Sequence, residues 1–186
     1  MHGKDVLELT DDLVRVYAAA FGAPGYDEPA EAAQRFGAEQ LPTHAARAGF
    51  RCVVARDSGR VVGFAYGYTR DFGQWWTDRI AAVASPELVA EWLGGHFEFV
   101  DMAVDPAVQG RGIGTALHDR LIADLPHRKA MLTTYREDLP ARRLYRRLGW
   151  QDESRKALEV FNELEQESRE LDEKRRSATG PRGTRP

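Results

Sequence analysis

Three alternating glycines, Gly110, Gly112 and Gly114, join a strand pattern to an amphipathic helix pattern. Glycine tolerates positive φ and brings no Cβ atom, so a backbone built this way can approach a ligand closely. The first turn of the following helix adds unpaired N–H groups and about half a positive charge from the aligned peptide dipoles. A strand, a glycine loop and a helix N-terminus in this order predict a binding site for phosphate groups.

The spacing of these glycines differs from two common nucleotide-binding patterns. The dinucleotide fingerprint places a third glycine or alanine three residues after a glycine pair, and here Thr115 or Leu117 stands at that position. The chain also has no Gly-Lys-Ser or Gly-Lys-Thr sequence of the Walker type. The loop therefore suits a diphosphate that belongs to neither of these nucleotide-binding classes.

The strand pattern that leads into the loop, residues 97–104, has apolar residues on both sets of alternate positions. Phe97 and Phe99 would share one face, whereas Val100 and Met102 would share the other, because side chains of a strand alternate with period two. Either both faces of the strand are buried, or a β-bulge shifts the phase in its middle.

The first 150 residues alternate strand and helix patterns, which predicts one domain of mixed α/β structure. Residues 57–59 are a turn signal between two strands and predict a hairpin. Residues 72–76 are expected to form a loop. Strands are predicted at 51–55, 61–68, 97–104 and 130–135, and helices at 11–21, 28–40, 43–48, 85–92, 112–125 and 140–148. Thr10 or Asp11 is the expected cap of the first helix, and Ser85 that of the fourth.

The composition changes after Trp150, where charged residues become frequent. Apolar residues recur there at helical spacing, so residues 151–176 are predicted to form a polar, charged helix. Residues 177–186, rich in glycine, proline and arginine, are predicted to be a disordered tail.

Charge and composition exclude several classes of function. The formal net charge of -3 argues against a general binder of nucleic acid or of anionic membranes. The single cysteine, Cys52, excludes an intrachain disulfide, and the five histidines lack metal-ligand spacing, so no metal is expected. The N-terminal residues lack the apolar core of a signal peptide, and the expected location is the cytoplasm.

Two segments resemble the motifs of the GNAT superfamily of acetyl-CoA-dependent N-acetyltransferases. Residues 104–114 are similar to its acyl-CoA motif, a Val-x-Pro followed by Gln/Arg-x-x-Gly-x-Gly/Ala. Residues 138–150 are similar to the companion motif, Asn-x-x-Ala-x-x-Leu-Tyr-x-x-x-Gly-Phe, with Asp138 for the usual asparagine and Trp150 for the usual phenylalanine. The two motifs occur in the expected order and on the expected strand, loop and helix patterns.

This resemblance implies a GNAT-like fold, a mixed and splayed β-sheet flanked by helices, with acetyl-CoA as co-substrate. The pantetheine arm is expected in the gap beside the strand before the glycine loop, and the diphosphate at the loop amides. The expected acetyl-CoA-binding residues are Met102, Ala103, Val104, Gln109, Gly110, Arg111, Gly112, Ile113, Gly114 and Thr115. A backbone N–H near Met102 or Ala103 is expected to polarise the thioester carbonyl.

Acetyl transfer to an amine needs a base, because most amines are cationic at neutral pH. Glu98 and Asp101 are the two candidates. We favour Glu98, since its flanking phenylalanines predict the apolar surroundings that make a carboxylate a better base. Either carboxylate is also open to a purely structural role beside an arginine. The resemblance implies that Tyr145 is the proton donor to the departing sulfur, and His44 is a further acid–base candidate, as is His96.

Four aromatic residues are candidates for the wall of an acceptor pocket: Phe21, Tyr26, Trp75 and Trp76. Asp27 and Glu28, which follow Tyr26, would attract a cation. Core packing is an equally good interpretation of each aromatic residue. The leading hypothesis is therefore an N-acetyltransferase that acts on a small-molecule amine or an amino acid.

Two alternatives stay open. One is a transferase that acetylates a protein lysine or amino terminus. The other is a non-catalytic CoA-binding module, because the charged segment after Trp150 stands where the superfamily normally has two more strands. A second copy of the chain, in a homodimer, or the charged helix itself would then cover the exposed edge of the sheet.

Overall fold

The computed structural model describes residues 1, 3–134 and 139–151, apart from the side chains of Trp75, Trp76 and Val83. The predicted charged helix at 151–176 and the predicted tail lie outside these residues, as does Asp138 of the companion motif. The described residues divide into two compact units, one of residues 1–71 and 95–150 and one that contains residues 72–94.

Helices and strands alternate through the described chain as the sequence patterns indicate. The helices are α1 (Gly3–Leu7), α2 (Thr10–Phe21), α3 (Ala30–Arg35), α4 (Leu41–Ala45), α5 (Trp75–Val83), α6 (Pro86–Trp92), α7 (Ile113–Ile122) and α8 (Pro140–Arg147). The strands are β1 (Arg51–Asp57), β2 (Arg60–Arg70), β3 (His96–Val104) and β4 (Ala130–Leu132). A π-helical turn, Phe36–Gln40, joins α3 to α4, and a 3₁₀ turn, Pro106–Val108, follows β3.

The four strands form one mixed sheet in the order β1-β2-β3-β4. The pairs β1–β2 and β2–β3 are antiparallel, and β4 runs parallel to β3. The predicted hairpin is confirmed, and its turn residues Ser58 and Gly59 have φ of 49° and 84°, as a tight turn with two positive φ angles requires. A mixed α/β sheet flanked by helices confirms the predicted fold class.

A β-bulge in the middle of β3 resolves the phase conflict seen in the sequence. Asp101 lies opposite Tyr66 and Phe99 lies opposite Gly67, so Val100 has no partner on β2. The extra residue restores one apolar face, since Met102 now follows Phe99 on the same side of the sheet. The bulge was one of the two alternatives left open by the sequence.

The sheet therefore has a core on each face. The first core packs against α2, α3 and α4 and contains Phe36, Phe64, Tyr66, Tyr68, Ala103 and their neighbours. The second core, on the side of α7 and α8, contains Ala65, Phe97, Phe99, Leu117, Leu121 and Tyr145. Each fully buried phenylalanine or leucine contributes about 1.5–3 kcal/mol to the free energy of folding. Both faces of β3 are thus fixed by packing, and the register of the bulge with them.

Three local expectations were wrong. Helix α2 begins at Thr10 without a side-chain cap, because the Thr10 hydroxyl donates to the carbonyl of Leu7 in α1 instead (2.7 Å). The helix predicted at 28–40 is divided into α3 and a π-helical turn, and α4 begins before its predicted start because Pro42 fits the first turn of a helix.

In the unit that contains residues 72–94, the predicted loop at 72–76 ends where α5 begins, at Trp75. Asp78 in the first turn of α5 accepts the backbone N–H of Gly73 (2.9 Å), a helix-start signal that the sequence analysis missed. The predicted start of α6 is confirmed, since the Ser85 hydroxyl accepts the Leu88 N–H (3.3 Å). No helix among the described residues combines the length and the apolar character needed to cross a bilayer.

The glycine opposite the bulge cannot be enlarged. A Cβ atom on Gly67 would stand within van der Waals radii of the Glu98 carbonyl oxygen and the buried Phe97 ring. We expect Gly67→Ala to lower the free energy of unfolding by about 3 kcal/mol, measured by urea denaturation. Gly63→Ala on the same strand is the control, because its nearest neighbours stand at 3.1 Å, and it should cost clearly less. Equal losses in the two variants would contradict this packing argument.

Candidate active site

The two parallel strands of the sheet separate beyond Phe99. Pairing of β3 with β4 ends at Phe99 and Leu132, while β3 continues to Val104. The Asp105 N–H donates to Val62 on the β2 side (2.9 Å). Because backbone groups of successive strand residues point to opposite sides, those of Met102 and Val104 face the side that β4 has left. Ala103 faces β2, so only Met102 of the two predicted carbonyl-polarising residues directs its N–H into the gap.

The turn after β3 is held by its own side chains. Asp105 accepts the Ala107 N–H (3.0 Å), and the side-chain amide of Gln109 donates to the Val104 carbonyl (3.0 Å). The backbone N–H of Gln109 donates to the Pro106 carbonyl (3.4 Å). The amide of Gln109, one of the expected diphosphate donors, is thus engaged within the turn.

The first two loop glycines form an open backbone cradle at the start of α7. Gly110 and Gly112 have φ of 79° and 80°, and no atom lies within 4 Å of the position that a Cβ atom would take at either residue. Ile113 and Gly114 follow in the first turn of α7, where N–H groups have no intrahelical acceptor. Thr115 is half-buried in the same turn.

The other two residues of the loop have different surroundings. The Cβ position of Gly114 lies 3.1 Å from the Leu144 side chain, so this glycine lets α7 approach α8 closely. Arg111 is exposed and lies 3.8 Å from the Asp57 carboxylate at the end of β1. Gly114 therefore has a packing role that the sequence pattern did not reveal.

Both candidate carboxylates lie on the face of the sheet that carries Tyr66 and Tyr68 of β2. The bulge produces this arrangement, because Asp101 is opposite Tyr66 and Glu98 is opposite Tyr68. Glu98 is buried between two basic groups: its Oε2 lies 3.6 Å from Nε of Arg70 and 3.4 Å from Nε2 of His96. Glu98 is thus in the structural setting that the sequence analysis held open as its alternative.

Among the residues that the structure describes, Asp101 has no basic partner of this kind. Its Oδ2 accepts a hydrogen bond of 2.6 Å from the Tyr66 hydroxyl. Burial raises the pKa of Asp101 to about 6; the Tyr66 hydrogen bond acts in the opposite direction, and the negative charge of Glu28 adds to the rise. A carboxylate with this pKa is ionised at neutral pH and is able to take a proton from a cationic amine.

The Tyr66 hydroxyl, which binds Asp101, also contacts His44. Its Nδ1 lies 3.0 Å from the Tyr66 hydroxyl oxygen, and its ring also packs against Tyr68, with centroids 5.0 Å apart. Burial lowers the pKa of His44 to about 4, helped by the positive charges of Arg70 and Arg47. His44 is therefore neutral at pH 7.

Tyr145 is buried on the opposite side of the sheet, in α8. Its ring meets Phe99 edge-on, with centroids 5.9 Å apart, and also contacts Trp150. Burial raises the pKa of Tyr145, and the negative charge of Asp101 adds to the effect. The phenol therefore keeps its proton throughout the neutral range.

Phe21 and Tyr26, two of the four predicted wall residues, lie together. Their ring centroids are 5.8 Å apart, and Tyr17 extends the group at 4.4 Å from Phe21. The Tyr17 hydroxyl donates to Glu28 (2.9 Å), so a carboxylate adjoins these aromatic rings. The side chains of Trp75 and Trp76 lie outside the described structure, and their predicted part in the wall stays a prediction.

His118, on α7, fixes the end of the companion motif. The Trp150 indole N–H donates to Nε2 of His118 (2.8 Å), and Nδ1 of His118 lies 2.8 Å from the Asp119 carboxylate. An indole only donates, so His118 carries its proton on Nδ1. Both ring nitrogens are therefore occupied by structural contacts.

Sequence reasoning missed Tyr66 as a member of this site. The tyrosine lies in an ordinary strand pattern, and only the register of β2 against the bulged strand places it opposite Asp101. Residues 71–95 separate β2 from β3 in the chain, so no local signal in the sequence gives this register.

Comparisons with known proteins agree with this arrangement. The acetyltransferase (GNAT) family model matches residues 10–150. A GCN5-like protein acetyltransferase of Mycobacterium tuberculosis is 38% identical over 100 residues, which are 50% of this chain and 48% of that protein. The chain thus spans about half the length of this curated relative.

Solved structures show the same fold at low sequence identity. A GNAT family acetyltransferase from Brucella melitensis in complex with acetyl-CoA has a TM-score of 0.53 and 21% identity, covering 78% of each chain. An aminoglycoside acetyltransferase from an uncultured soil metagenomic sample has a TM-score of 0.53 and 19% identity, covering 83% of this chain and 88% of its own. These likenesses extend to the fold alone.

The buried carboxyl of Asp101 makes stability depend on pH. Its pKa is raised from 3.8 to about 6 by folding, which corresponds to about 3 kcal/mol. A raised carboxyl pKa favours the fold at low pH, and this contribution is lost as the pH rises from about 4 to above 6. We expect the free energy of unfolding of Asp101→Asn, relative to that of the wild type, to rise by about 3 kcal/mol between pH 3.5 and pH 7.5. The measurement is urea denaturation at a series of pH values.

The matched control is Asp57→Asn on the exposed end of the β1–β2 hairpin. Because this carboxylate is exposed, the change with pH in the stability of Asp57→Asn relative to the wild type should be clearly smaller than that of Asp101→Asn. A difference between Asp101→Asn and the wild type that does not change with pH would contradict the assigned environment of Asp101.

Proposed function

Because the chain belongs to the acetyltransferase (GNAT) family, we propose that it transfers the acetyl group of acetyl-CoA directly to a primary amine of a small molecule or an amino acid. The observation that carries this proposal is the gap beside β3. Within the described part of the chain, an unpaired strand edge leads straight into a glycine cradle at a helix N-terminus, and a carboxylate of raised pKa lies on the same strand.

The residues beside this gap suit acetyl-CoA. Gly110 and Gly112 leave open space where a Cβ atom would otherwise stand, and the first turn of α7 offers N–H groups to phosphate oxygens. The backbone groups of Met102 and Val104 would hold the amide groups of the pantetheine arm. When bound there, acetyl-CoA supplies an activated acetyl group as a thioester.

Asp101 is the general base in this proposal. Glu98 was favoured from the sequence, yet its carboxylate is held in contacts with Arg70 and His96. Asp101 has only hydroxyl and acidic neighbours among the groups that set its pKa, which is about 6. Glu98 then acts to hold Arg70 in the core.

Tyr145 is the proposed proton donor to the departing sulfur. It keeps its proton at neutral pH because burial raises its pKa, and the charge of Asp101 contributes to that rise. The N–H of Met102 is the proposed donor to the thioester carbonyl.

The state of the single cysteine supports direct transfer rather than an acyl-cysteine route. Cys52 is buried in β1, and burial raises its pKa to about 12. A thiol of this pKa is not a nucleophile at neutral pH, because the thiolate is the reactive form.

The acceptor amine is proposed to bind beside Phe21 and Tyr26. Aromatic faces and the nearby carboxylate of Glu28 attract a cationic group, so the acceptor would arrive as an ammonium ion. The part of Trp75 and Trp76 in acceptor binding stays a prediction from the sequence.

A protein acceptor is the second candidate. The observation that favours it is the relative from Mycobacterium tuberculosis, which is named as a protein acetyltransferase and shares 38% identity over 100 residues. In this version of the proposal a lysine side chain or an amino terminus takes the place of the free amine.

Binding of acetyl-CoA at the glycine loop is tested by calorimetric titration. We expect Gly112→Asp to weaken acetyl-CoA binding by at least tenfold. The new carboxylate would face the diphosphate and repel it, at a cost of roughly one charge-assisted hydrogen bond. Gly112→Asn is the matched control, since asparagine has the same size, tolerates positive φ and carries no charge. Equal affinities in these two variants would exclude the loop as the diphosphate site.

Turnover is tested by release of the free thiol from acetyl-CoA, with free diamines and lysine peptides as separate acceptors. We expect Asp101→Asn to lower kcat by about 10²-fold or more, and Tyr145→Phe by a smaller factor, with the KM for acetyl-CoA little changed. Glu98→Gln is the comparison that decides between the two carboxylates. A larger loss of kcat in Glu98→Gln than in Asp101→Asn would restore Glu98 as the base, and binding without any turnover would favour the non-catalytic module.

A further inference from the structure

Three side chains, Asp101, Tyr66 and His44, form a hydrogen-bonded series. The Tyr66 hydroxyl donates to Asp101 (2.6 Å), and Nδ1 of His44 lies 3.0 Å from the same hydroxyl oxygen. Tyr66 is completely buried, whereas His44 is half-buried. Among the described residues, Nε2 of His44 has no hydrogen-bond partner. This nitrogen is not among the buried atoms that lack a partner, so it is exposed to solvent.

The proposed reaction creates a need for such a series. Acetylation of an ammonium ion forms an N–C bond, breaks a C–S bond and removes two protons from the nitrogen. One of these protons ends on the thiol product, and the other has to leave the protein. If Asp101 takes that proton while the acceptor fills the pocket, its buried carboxyl has no direct contact with bulk water.

Resting on the proposed function, we propose that Tyr66 and His44 form a proton path that carries the proton of Asp101 to solvent. The step starts with Asp101 protonated and with His44 in the tautomer that has its proton on Nε2, so that Tyr66 donates to the proton-free Nδ1. The proton on Asp101 passes to the Tyr66 oxygen while the Tyr66 proton passes to Nδ1 of His44. Nε2 of His44 then releases its own proton to water. The step releases one proton and ends in the arrangement observed here, in which Tyr66 donates to the Asp101 carboxylate and Nδ1–H of His44 donates to Tyr66. Exchange of the ring protons with water, on rotation of the half-buried imidazole, restores the Nε2–H tautomer for the next turnover.

The groups around the path are suited to this direction of transfer. Asp101 faces Tyr66 from β2 and lies near the charge of Glu28 from the segment before α3, and neither stabilises its charge as a cation would. Tyr145, on the other side of the sheet, is affected only by the charge of Asp101. His44 faces Tyr66 and Tyr68, the cations Arg70 and Arg47, and the carboxylate of Glu98. The nearby cations keep His44 from holding a proton as imidazolium, so a proton that arrives is passed on.

Tyr66 and His44 are positioning residues in this scheme, because each acts on the amine only through Asp101. A purely structural role predicts that they stabilise Asp101 without changing their own protonation. The proton path predicts more: the tautomer of His44 must respond to the protonation of Asp101.

The test is a pH titration by NMR of the full chain, which needs neither acceptor nor turnover. The ¹³C signal of the Asp101 carboxyl and the ¹⁵N signals of the His44 ring are followed together, with Asp101→Asn and His44→Asn used for assignment. We expect the His44 nitrogens to show a step with the midpoint of Asp101, near pH 6, separate from the protonation of His44 near pH 4. In Tyr66→Phe the step near pH 6 should vanish.

Tyr68→Phe is the matched control, because Tyr68 lies on the same strand and face and packs on the His44 ring, while its hydroxyl contacts Arg70 instead. It should retain the step. A His44 ring that shows no step at the midpoint of Asp101 in the wild type, or keeps it in Tyr66→Phe, overturns the proton path.

Turnover supplies a second readout and separates the two proposals. We expect His44→Asn to lower kcat about tenfold with an unchanged KM for acetyl-CoA, and added imidazole to restore kcat. A coupled titration without thiol release by the wild type would reject the proposed function and leave the coupling in place. Thiol release that is unaffected by His44→Asn would reject the path and leave the proposed function in place.

Discussion

Val100, the unpaired residue in β3, determines which side chains of the central strand meet. A strand of ordinary pairing would place Glu98 and Asp101 on opposite faces of the sheet. The bulge turns Asp101 to the face of Tyr66 and returns Met102 to the face of Phe97 and Phe99. Every later residue of β3 depends on this shift, including the edge that leads into the glycine loop.

The position of the bulge is maintained from β2. Gly67 lies opposite Phe99, and the Phe97 ring and the Glu98 carbonyl occupy the space where any larger residue would need a Cβ atom. Both faces of the sheet are packed, so a slip in register would move the polar residues of β3 into an apolar core. The site geometry thus follows from a sterically required glycine and one extra residue.

Two carboxylates on one face of one strand have different chemistry because of their neighbours. Glu98 is paired with Arg70 and His96, whereas Asp101 has a phenol as hydrogen-bond partner and the charge of Glu28 nearby. Environments that separate the behaviour of paired acids in this way are typical of sites that use one carboxylate as a base. Here the separation arises from residues contributed by β2 and by the segment before α3.

The sequence alone predicted those features whose causes lie within a few residues. The hairpin turn at Ser58 and Gly59, the glycine loop and the capped start of α6 at Ser85 are local signals, and the structure confirms them. The bulge was also foreseeable, because the apolar pattern of one strand changed phase in its middle.

Features that depend on distant segments could not be predicted. Arg70 reaches Glu98 only because of the pairing of β2 with β3, so the apolar neighbours of Glu98 in sequence were a poor guide to its environment. Gly114 was read as part of a phosphate loop, although its contact with Leu144 depends on how α8 packs. The start of α5 was missed because an aspartate in its first turn, rather than a residue before it, satisfies the preceding backbone.

The turn between β3 and α7 is preorganised by the protein itself. Glycine-rich segments are the most flexible parts of an unfolded chain, and fixing the backbone of each residue costs about 1–2 kcal/mol in entropy. Here Gln109 holds the Val104 carbonyl and Asp105 holds the Ala107 N–H, so this entropy is lost when the protein folds. A ligand that meets the turn therefore binds to a surface already in shape, and its affinity reflects contacts formed rather than a loop that must first be ordered.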